Sequence, residues 1–313
     1  MTIRDLPVPT RQDRGASPVE VHGHRGARGS WPENTLPGFA GALAQGATAI
    51  EMDVALTADA VVVLSHDPIL DPSLTRGPDG RWIDPSGPLL RTLDYAHLRR
   101  FDVGRIRPGT AQAAAFPGQL AMDGVPMPRL DEVVHLDPQV MLAIELKTFP
   151  DHPEWTVSPA AMADAVLAVL DAAGATARAR IISFDWRGLR HLRRIRPDLS
   201  LGYLSEAATV EAARLWWDGP SPEDFGGSVP RAVPAEGGTV WGPDFRTLTR
   251  ADVQEAVELG LLVNPWTVNE TADMARLLEW GVGALTTDYP DRARLALASR
   301  PPLSGAACPS ARA

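Results

Sequence analysis

Three carboxylates lie near the ends of apolar runs that have the composition of β-strands. Glu51 and Asp53 are in the run TAIEMDV, and Glu145 is in the run VMLAIELK. Residues two apart on a strand project to the same side, so Glu51 and Asp53 are expected to face one way. A strand end that simply faces solvent is the alternative for either run. Because three carboxylates without a cysteine form a set of hard oxygen ligands, we predict that Glu51, Asp53 and Glu145 bind one divalent cation, Mg²⁺ or Ca²⁺.

A second group of residues is suited to an anionic substrate. Lys147 stands two residues after Glu145 and adds positive charge beside the predicted cation, although an ion pair that only tunes the site is the alternative. The first β-type run leads into HGHRGARGSWPENT, with His24 and Arg25 at its end. An arginine fork binds phosphate oxygens and an imidazole transfers protons near neutral pH, so this pair favours phosphate chemistry.

The segment EMDVALTADAVVVLSHD is predicted to bring a second histidine to the same place. Its two β-type runs are so close in sequence that they form an antiparallel hairpin. With Ala58–Asp59 at the turn, Glu51 is opposite His66, and cross-strand partners share a face of the sheet. This prediction depends on the register, because a slip of one residue turns side chains to the other face. His24 and His66 would then flank the cation as general acid and general base.

Two strand ends near the C-terminus carry further candidates. Trp266 in NPWTVNE is placed to form an apolar wall for a carbon skeleton, with ordinary packing as the alternative, and Asn269 is predicted to cap a helix. Asp288 in ALTTDYP is predicted to cap the last helix, with Pro290 in its first turn, and hence to be structural.

Strands and amphipathic helices alternate along most of the chain. The predicted strands are Val19–His24, Thr48–Val54, Ala60–His66, Val140–Leu146, Arg180–Phe184, Leu199–Leu204, Thr239–Gly242, Leu261–Val268 and Gly283–Thr287. The clearest predicted helices are Thr35–Gln45, Pro159–Ala173, Thr249–Leu259 and Glu270–Trp280. Such alternation predicts a parallel sheet with helices outside it.

The nine predicted strands exceed a closed eight-stranded barrel by one, which the hairpin explains. We therefore predict an α/β fold, a (β/α)8 TIM barrel with a hairpin excursion after strand 2 and a long inserted segment. The barrel is expected to span residues 18–299, between flexible tails at 1–17 and 300–313. Residues 71–126 are predicted to be an insertion with a helical run near Leu93–Phe101, and 217–238 an irregular loop. Loops this long often shape a binding site.

Composition narrows the function classes. The chain has 313 residues, of which 44% are hydrophobic and 22% charged, so it can bury a sizeable core. A net charge of −9 argues against a general nucleic-acid binder and against stable membrane association. One cysteine, Cys308, excludes a disulfide framework within the chain, and no apolar run reaches the length of a membrane span. With no apolar leader at the start, the expected location is cytoplasmic.

Taken in order, the motifs resemble those of the glycerophosphodiester phosphodiesterase family. HRGARGSWPENT, EMDV with a TADA turn and LSHD, ELK, WTVN and TTDYP match the family in order and spacing over roughly residues 20–295. HRG or ELK alone is common, whereas the ordered set is specific. The chain departs from the family at His22 and Gly23, where small or aliphatic residues are usual, and in the stretch 216–238.

The resemblance implies metal-dependent hydrolysis of glycerophosphodiesters to sn-glycerol 3-phosphate and an alcohol on a TIM-type barrel. It implies that the glycerol 2-hydroxyl is the internal nucleophile and that water then opens a cyclic phosphate. The expected partner is a small-molecule glycerophosphodiester. The residues at matching positions would be the cation ligands Glu51, Asp53 and Glu145, the acid–base pair His24 and His66, the phosphate-binding Arg25 and Lys147, the glycerol contact Trp266, and the supporting Asn34.

Two other functions are alternatives. A phospholipid phosphodiesterase on the same fold, such as one of lysophospholipase D type, would use an exposed apolar rim, to which Trp216 and Trp217 could contribute. The net charge of −9 argues against it. A non-catalytic phosphodiester-binding protein would lack one of the histidines or carboxylates, and none is missing.

Overall fold

A computed structural model describes residues 19–299, so both predicted tails, 1–17 and 300–313, lie outside the described residues. Within the described range all nine predicted strands are present. They are β1 (Glu20–Gly23), β2 (Ala49–Leu56), β3 (Val62–Leu64), β4 (Met141–Leu146), β5 (Ala179–Ser183), β6 (Ser200–Ser205), β7 (Val240–Pro243), β8 (Leu262–Val263) and β9 (Ala284–Thr287).

The predicted barrel is confirmed. Eight parallel strands follow the order β8-β7-β6-β5-β4-β2-β1-β9, and β3 pairs with β2 outside this path. Strand β8 is short because Pro265 has no N–H with which to continue the ladder. Backbone hydrogen bonds from Gly283 to Val263 and from Thr286 to Pro265 join β8 to β9, so the barrel is nearly closed.

Most helices follow the strands and cover the outside of the barrel, and two short ones lie in the inserted segment 71–126. They are α1 (Leu36–Ala44), α2 (Tyr95–Leu98), α3 (Ala111–Ala115), α4 (Leu130–Val134), α5 (Pro159–Ala172), α6 (Trp186–Ile195), α7 (Ala207–Glu211), α8 (Ala213–Trp216), α9 (Val229–Ala235), α10 (Arg250–Glu258), α11 (Thr271–Trp280) and α12 (Pro290–Ala298). The hydroxyls of Thr35, Ser158 and Thr249 accept backbone N–H groups at the starts of α1, α5 and α10. In the described part of the chain, no helix combines the length and apolarity needed to cross a membrane.

The β2–β3 hairpin is present, but its predicted register is wrong by one residue. Val54 pairs with Leu64, so the ladder does not bring Glu51 opposite His66. Strand β3 also ends at Leu64, two residues before the histidine. The position of His66 is therefore set by the loop after β3.

The turn of the hairpin explains the slip. Thr57 donates its N–H to the carbonyl of Val61 at 3.1 Å, which leaves three residues in the loop instead of the predicted pair Ala58–Asp59. Ala60 provides the third residue in a left-handed conformation, with φ of 60°. Three-residue hairpin loops use a left-handed residue at this point, usually glycine, and an alanine gives no such signal in the sequence.

The insertion at 71–126 packs over the hairpin around a small core of its own. Buried side chains from the hairpin (Val63), its exit (Leu70) and the insertion (Leu90, Leu98) meet in this core, together with Met127. Helix α2 confirms the helical run predicted near Leu93–Phe101, and α3 was not predicted.

The prediction of an irregular loop at 217–238 is wrong in part, because α9 lies within it. Ser228 caps this helix and Pro230 occupies its first turn, where a proline is compatible with helix geometry. The two adjacent tryptophans, Trp216 and Trp217, also lie in different surroundings. Trp217 is fully buried and stacks on Trp186 at 3.9 Å, so only Trp216 is near the barrel mouth.

A buried ionic group lies at the N-terminal end of the barrel interior. Arg180 donates to Glu20 at 2.8 Å, and Glu20 also accepts from His22 Nε2 at 2.7 Å. Burial raises the pKa of Glu20, but His22 and Arg180 outweigh burial and bring this pKa to about 2. The carboxylate thus remains ionised and pairs with an arginine that is itself buried.

We expect the substitution Glu20→Gln to destabilise the fold in a pH-dependent way. Because the folded pKa of Glu20 is depressed, its contribution is complete above the unfolded value near 4.5 and is lost as the pH falls toward 2. Urea unfolding at pH 7 should show a loss of about 2–3 kcal/mol, and this loss should shrink below about pH 4.5. The exposed Glu258→Gln control should change stability by less than about 0.5 kcal/mol. A pH-independent loss would contradict the ionic role.

Candidate active site

The three predicted cation ligands come together inside the barrel mouth. Glu51, Asp53 and Glu145 each offer an oxygen, and these oxygens lie within 4.8 Å of one another. Asp53 is the register partner of Glu145 in the β2–β4 ladder, and Glu51 lies one inward-facing position below Asp53. Two neighbouring parallel strands therefore form the cluster, as the alternation of side chains predicted.

Burial and mutual repulsion dominate the electrostatics of this cluster. Burial, together with Asp53 and Glu145, raises the pKa of Glu51 well above its ordinary value. Burial is also the main reason that the pKa of Glu145 rises to about 7. Asp53 differs, because Arg25 and Lys147 outweigh burial and hold its pKa well below the usual range. Three buried carboxylates of this kind fit a hard divalent cation, which would supply the positive charge that the cluster lacks.

Lys147 and Asn34 hold the cluster in position. Lys147 Nζ donates to Glu145 at 2.7 Å and lies 3.8 Å from Asp53. The Asn34 side chain donates to Asp53 at 3.0 Å and accepts the backbone N–H of the same residue at 3.2 Å. The structure thus places Asn34 in the support of Asp53.

Arg25 links the first strand to the same cluster. Its backbone N–H donates to Glu51 at 2.9 Å, and its guanidinium contacts Asp53 at 3.2 Å and Glu33 at 2.9 Å. The sharp turn after it depends on Gly26, at φ of 92°, where a Cβ atom would come within 2.6 Å of the α1 backbone.

His24 is held by two side chains that follow the last two strands, Asp288 after β9 and Asn269 after β8. Its Nδ1 lies 2.7 Å from an oxygen of Asp288, and the other oxygen of Asp288 accepts from Asn269 at 2.6 Å. Burial raises the pKa of Asp288, but His24, Arg28 and Asn269 bring it to about 2. Burial lowers the pKa of His24 while Asp288 opposes this effect.

The prediction that Asp288 caps the last helix is therefore wrong. Helix α12 has Tyr289 at its N-cap, and α11 has Glu270 there in place of the predicted Asn269. Both side chains turn inward because β9 lies beside β1, which places Asp288 next to His24.

His66 reaches the cluster from the loop after β3, despite the error in register. Its Nδ1 lies 2.6 Å from Asp67, and its side chain is about one-third exposed. Burial lowers the pKa of His66 to about 4, with further contributions from Lys147 and Arg25 that outweigh Asp53.

Two cavities meet at these residues. The first, here called the barrel cavity, has a volume of about 400 Å³. Its walls include His24, His66, Phe184, Leu204, Trp216 and Trp266. The Trp266 and Phe184 rings pack edge to face at 5.3 Å, so the structure places Trp266 in an apolar wall as predicted.

The second, here called the insertion cavity, has a volume of about 440 Å³ and lies between the barrel mouth and the insertion. Its walls include Glu33, Asp67, Asp71, Thr75, Gln112 and Phe116. Arg25, Arg28 and His66 line both cavities. A ligand whose central group is an anion could bind between the two arginines and the histidine. Its two ends could then extend into the two cavities.

The sequence arguments missed several residues that hold the site. They are Arg28, Glu33, Asp67, Asn269 and Asp288. Asp288 follows directly on an apolar strand, the same signal that singled out Asp53, and was assigned to helix capping instead. Glu33 and Asp67 have no such signal, because they lie in loops.

Comparisons with known proteins show which family the chain resembles. Residues 24–292 match the model of the glycerophosphoryl diester phosphodiesterase family. A crystal structure from Silicibacter pomeroyi DSS-3, provisionally described as a glycerophosphoryl diester phosphodiesterase, is 39% identical with a TM-score of 0.82, covering 91% of this chain and 94% of that one. The glycerophosphodiester phosphodiesterase of Bacillus subtilis (strain 168) is 29% identical over 275 residues, 86% of this chain and 83% of the relative.

A more distant structure agrees in fold. The Oleispira antarctica phosphodiesterase, solved in complex with the product sn-glycerol-3-phosphate, is 22% identical with a TM-score of 0.67. The match covers 90% of this chain and 97% of that one.

We expect divalent cations to stabilise the protein through the carboxylate cluster. Ca²⁺ or Mg²⁺ at about 100 times its Kd should add about 2.7 kcal/mol, which a melting curve would show as a rise of several degrees. Glu145→Gln should abolish the rise, whereas the exposed Glu258→Gln should retain it. An undiminished rise in Glu145→Gln would place the cation elsewhere.

Proposed function

The chain belongs to the glycerophosphoryl diester phosphodiesterase family, and from this premise we propose that it hydrolyses small glycerophosphodiesters to sn-glycerol 3-phosphate and an alcohol. One observation carries the proposal: three buried carboxylates suited to a divalent cation lie at the barrel cavity, and the cationic side chains and a histidine beside them also line the insertion cavity. Glu51, Asp53 and Glu145 would hold the cation, which supplies charge neutralisation to the phosphate when bound.

The local charge supports an anionic substrate. Three positive side chains, Arg25, Arg28 and Lys147, lie around the carboxylate cluster and line the barrel cavity. A divalent cation held by the cluster would add two positive charges beside them. Together these charges would attract the single negative charge of a phosphodiester. Arg25, which lines both cavities, is placed to bind a phosphate oxygen.

The two cavities support a division of the substrate. The glycerol would enter the barrel cavity beside Trp266, and the second alcohol would extend into the insertion cavity. His24 lines only the barrel cavity, whereas His66 lines both. On this basis His24 would take the proton of the glycerol 2-hydroxyl, and His66 would donate a proton to the leaving oxygen.

Both histidines have the support that this role needs. Each bonds a carboxylate through Nδ1, so each would present Nε2 to the substrate. In the first step the 2-hydroxyl oxygen bonds to phosphorus while the bond to the alcohol breaks, and a cyclic phosphate results. In the second step His66 would activate water, whose attack opens the ring while His24 returns its proton to the 2-hydroxyl. A bound phosphate anion would raise the pKa of His66 by offsetting Lys147 and Arg25.

We expect the protein to release sn-glycerol 3-phosphate from small diesters. The panel is glycerophosphocholine, glycerophosphoethanolamine and glycerophosphoglycerol, with lysophosphatidylcholine as the lipid comparison. EDTA should abolish release, and Ca²⁺ or Mg²⁺ should restore it. Turnover of the lysolipid alone would indicate a lipid phosphodiesterase. If folded, metal-loaded protein released no sn-glycerol 3-phosphate from any of these substrates, it would instead be a phosphodiester-binding protein.

We expect Asp288→Asn to lower kcat by a factor of about 10²–10⁴ without unfolding the protein. An amide no longer fixes the tautomer of His24 or stabilises its protonated form. Because Asp288 raises the pKa of His24, the limb of the pH–rate profile that belongs to His24 should also move to lower pH. Asp244→Asn is the matched control, since Asp244 is buried at the end of β7 and bonds Arg246. Equal losses in the two variants would refute a specific role for Asp288.

A further inference from the structure

The barrel cavity has a polar part, here called the polar floor. Asn264 and Thr286 form it and are both buried, and Thr286 is the register partner of His22, one inward-facing position before His24. The walls around them are largely apolar, with Ile182, Leu204 and Val240 among them. Each of these two side chains has a protein partner, but a purely apolar ligand would leave their remaining donor and acceptor sites unsatisfied, which costs free energy.

The cavity reaches this floor because two strands lack side chains at the positions that face it. Gly202 on β6 and Gly242 on β7 both line the cavity. A Cβ atom at Gly202 would come within 2.7 Å of the Ile182 side chain, and one at Gly242 within 2.5 Å of the Leu204 side chain. Any larger residue at either position would therefore obstruct the space above the floor.

Hydrogen bonds below the floor orient its polar atoms. His22 directs Nε2 to Glu20, which leaves Nδ1 as an acceptor, and Asn264 Nδ2 lies 3.4 Å from it. Thr286 donates its hydroxyl to Asn264 Oδ1 at 3.1 Å. These contacts leave one N–H of Asn264 and the lone pairs of Thr286 Oγ1 available to the cavity. The floor can thus donate and accept at once, which is the pattern that a hydroxyl group satisfies.

The distance from His24 to the floor suits a short polyol. Thr286 is the register partner of His22, and His24 lies two residues further along the chain and lines the same cavity. Two residues along a strand correspond to about 6.6 Å, which is about the length of a glycerol phosphate unit. A phosphate beside the carboxylate cluster would place the far end of its glycerol at the floor.

We infer that Asn264 and Thr286 bind the terminal hydroxyl of the substrate glycerol and select a free glycerol over an acylated or deoxygenated one. His22 acts through Asn264 as a positioning residue. The inference rests on the proposed function and deepens it, because it names the group that the barrel cavity recognises.

The test compares two substrates that differ in one hydroxyl. One is the best diester of the panel, and the other is its analogue with propane-1,2-diol in place of glycerol, which keeps the 2-hydroxyl and lacks the terminal one. Wild-type protein should prefer the glycerol substrate by about tenfold to a hundredfold in kcat/KM. Thr286→Val and Asn264→Leu should remove most of this preference by lowering kcat/KM on the glycerol substrate alone.

Ser200→Ala is the matched control, because Ser200 is a barrel residue that bonds Arg180 and does not line the cavity. It should keep the full preference. Equal wild-type turnover of the two substrates, or of the lysolipid and the diester, would overturn the inference while leaving the proposed function intact. Absence of turnover on all of them would reject the proposed function itself. The wild-type comparison decides even if a floor variant does not fold.

Discussion

Repulsion among three buried carboxylates is the constraint on which the active site depends. Glu51, Asp53 and Glu145 place oxygens within 4.8 Å of one another in a setting that raises the pKa of two of them. Lys147 and Arg25 reduce this repulsion without removing it, since the local charge remains negative. A divalent cation bound by the cluster would make the local charge positive, and under the proposed function this positive charge would attract an anionic phosphodiester.

Rigid strands and adaptable loops contribute different parts of this arrangement. The predicted cation ligands lie on β2 and β4, and Lys147 follows β4 directly. Backbone pairing between the two strands fixes the spacing of these side chains. His66, Glu33 and the walls of the insertion cavity come from loops and from the insertion. The charged cluster is therefore built on the barrel strands. The walls of the insertion cavity, where we propose that the leaving alcohol binds, come from segments that can change without disturbing the cluster.

The barrel interior contains two clusters of polar side chains with different roles. Near the mouth, polar side chains surround the site of the reaction. At the opposite end, Arg180, Glu20 and His22 form an ionic group that supports the fold and, through Asn264, orients the floor of the cavity. Buried polar groups of this kind are costly unless each finds partners, and here the partners run from the bottom of the barrel to its ligand cavity.

The sequence by itself determined the barrel, through the alternation of strands and helices, and the carboxylate cluster, through the period of two along apolar strands. It could not determine the hairpin register, since that depended on a left-handed alanine, Ala60. Nor could it pair His24 with Asp288, which lie 264 residues apart and meet only because β9 closes the barrel against β1. The spacing of residues along a strand determines the direction in which each side chain points. Closure of the barrel and the conformation of its loops depend on contacts between distant segments. Only the tertiary structure decided those contacts, and with them the support of His24 by Asp288 and the polar floor formed by Asn264 and Thr286.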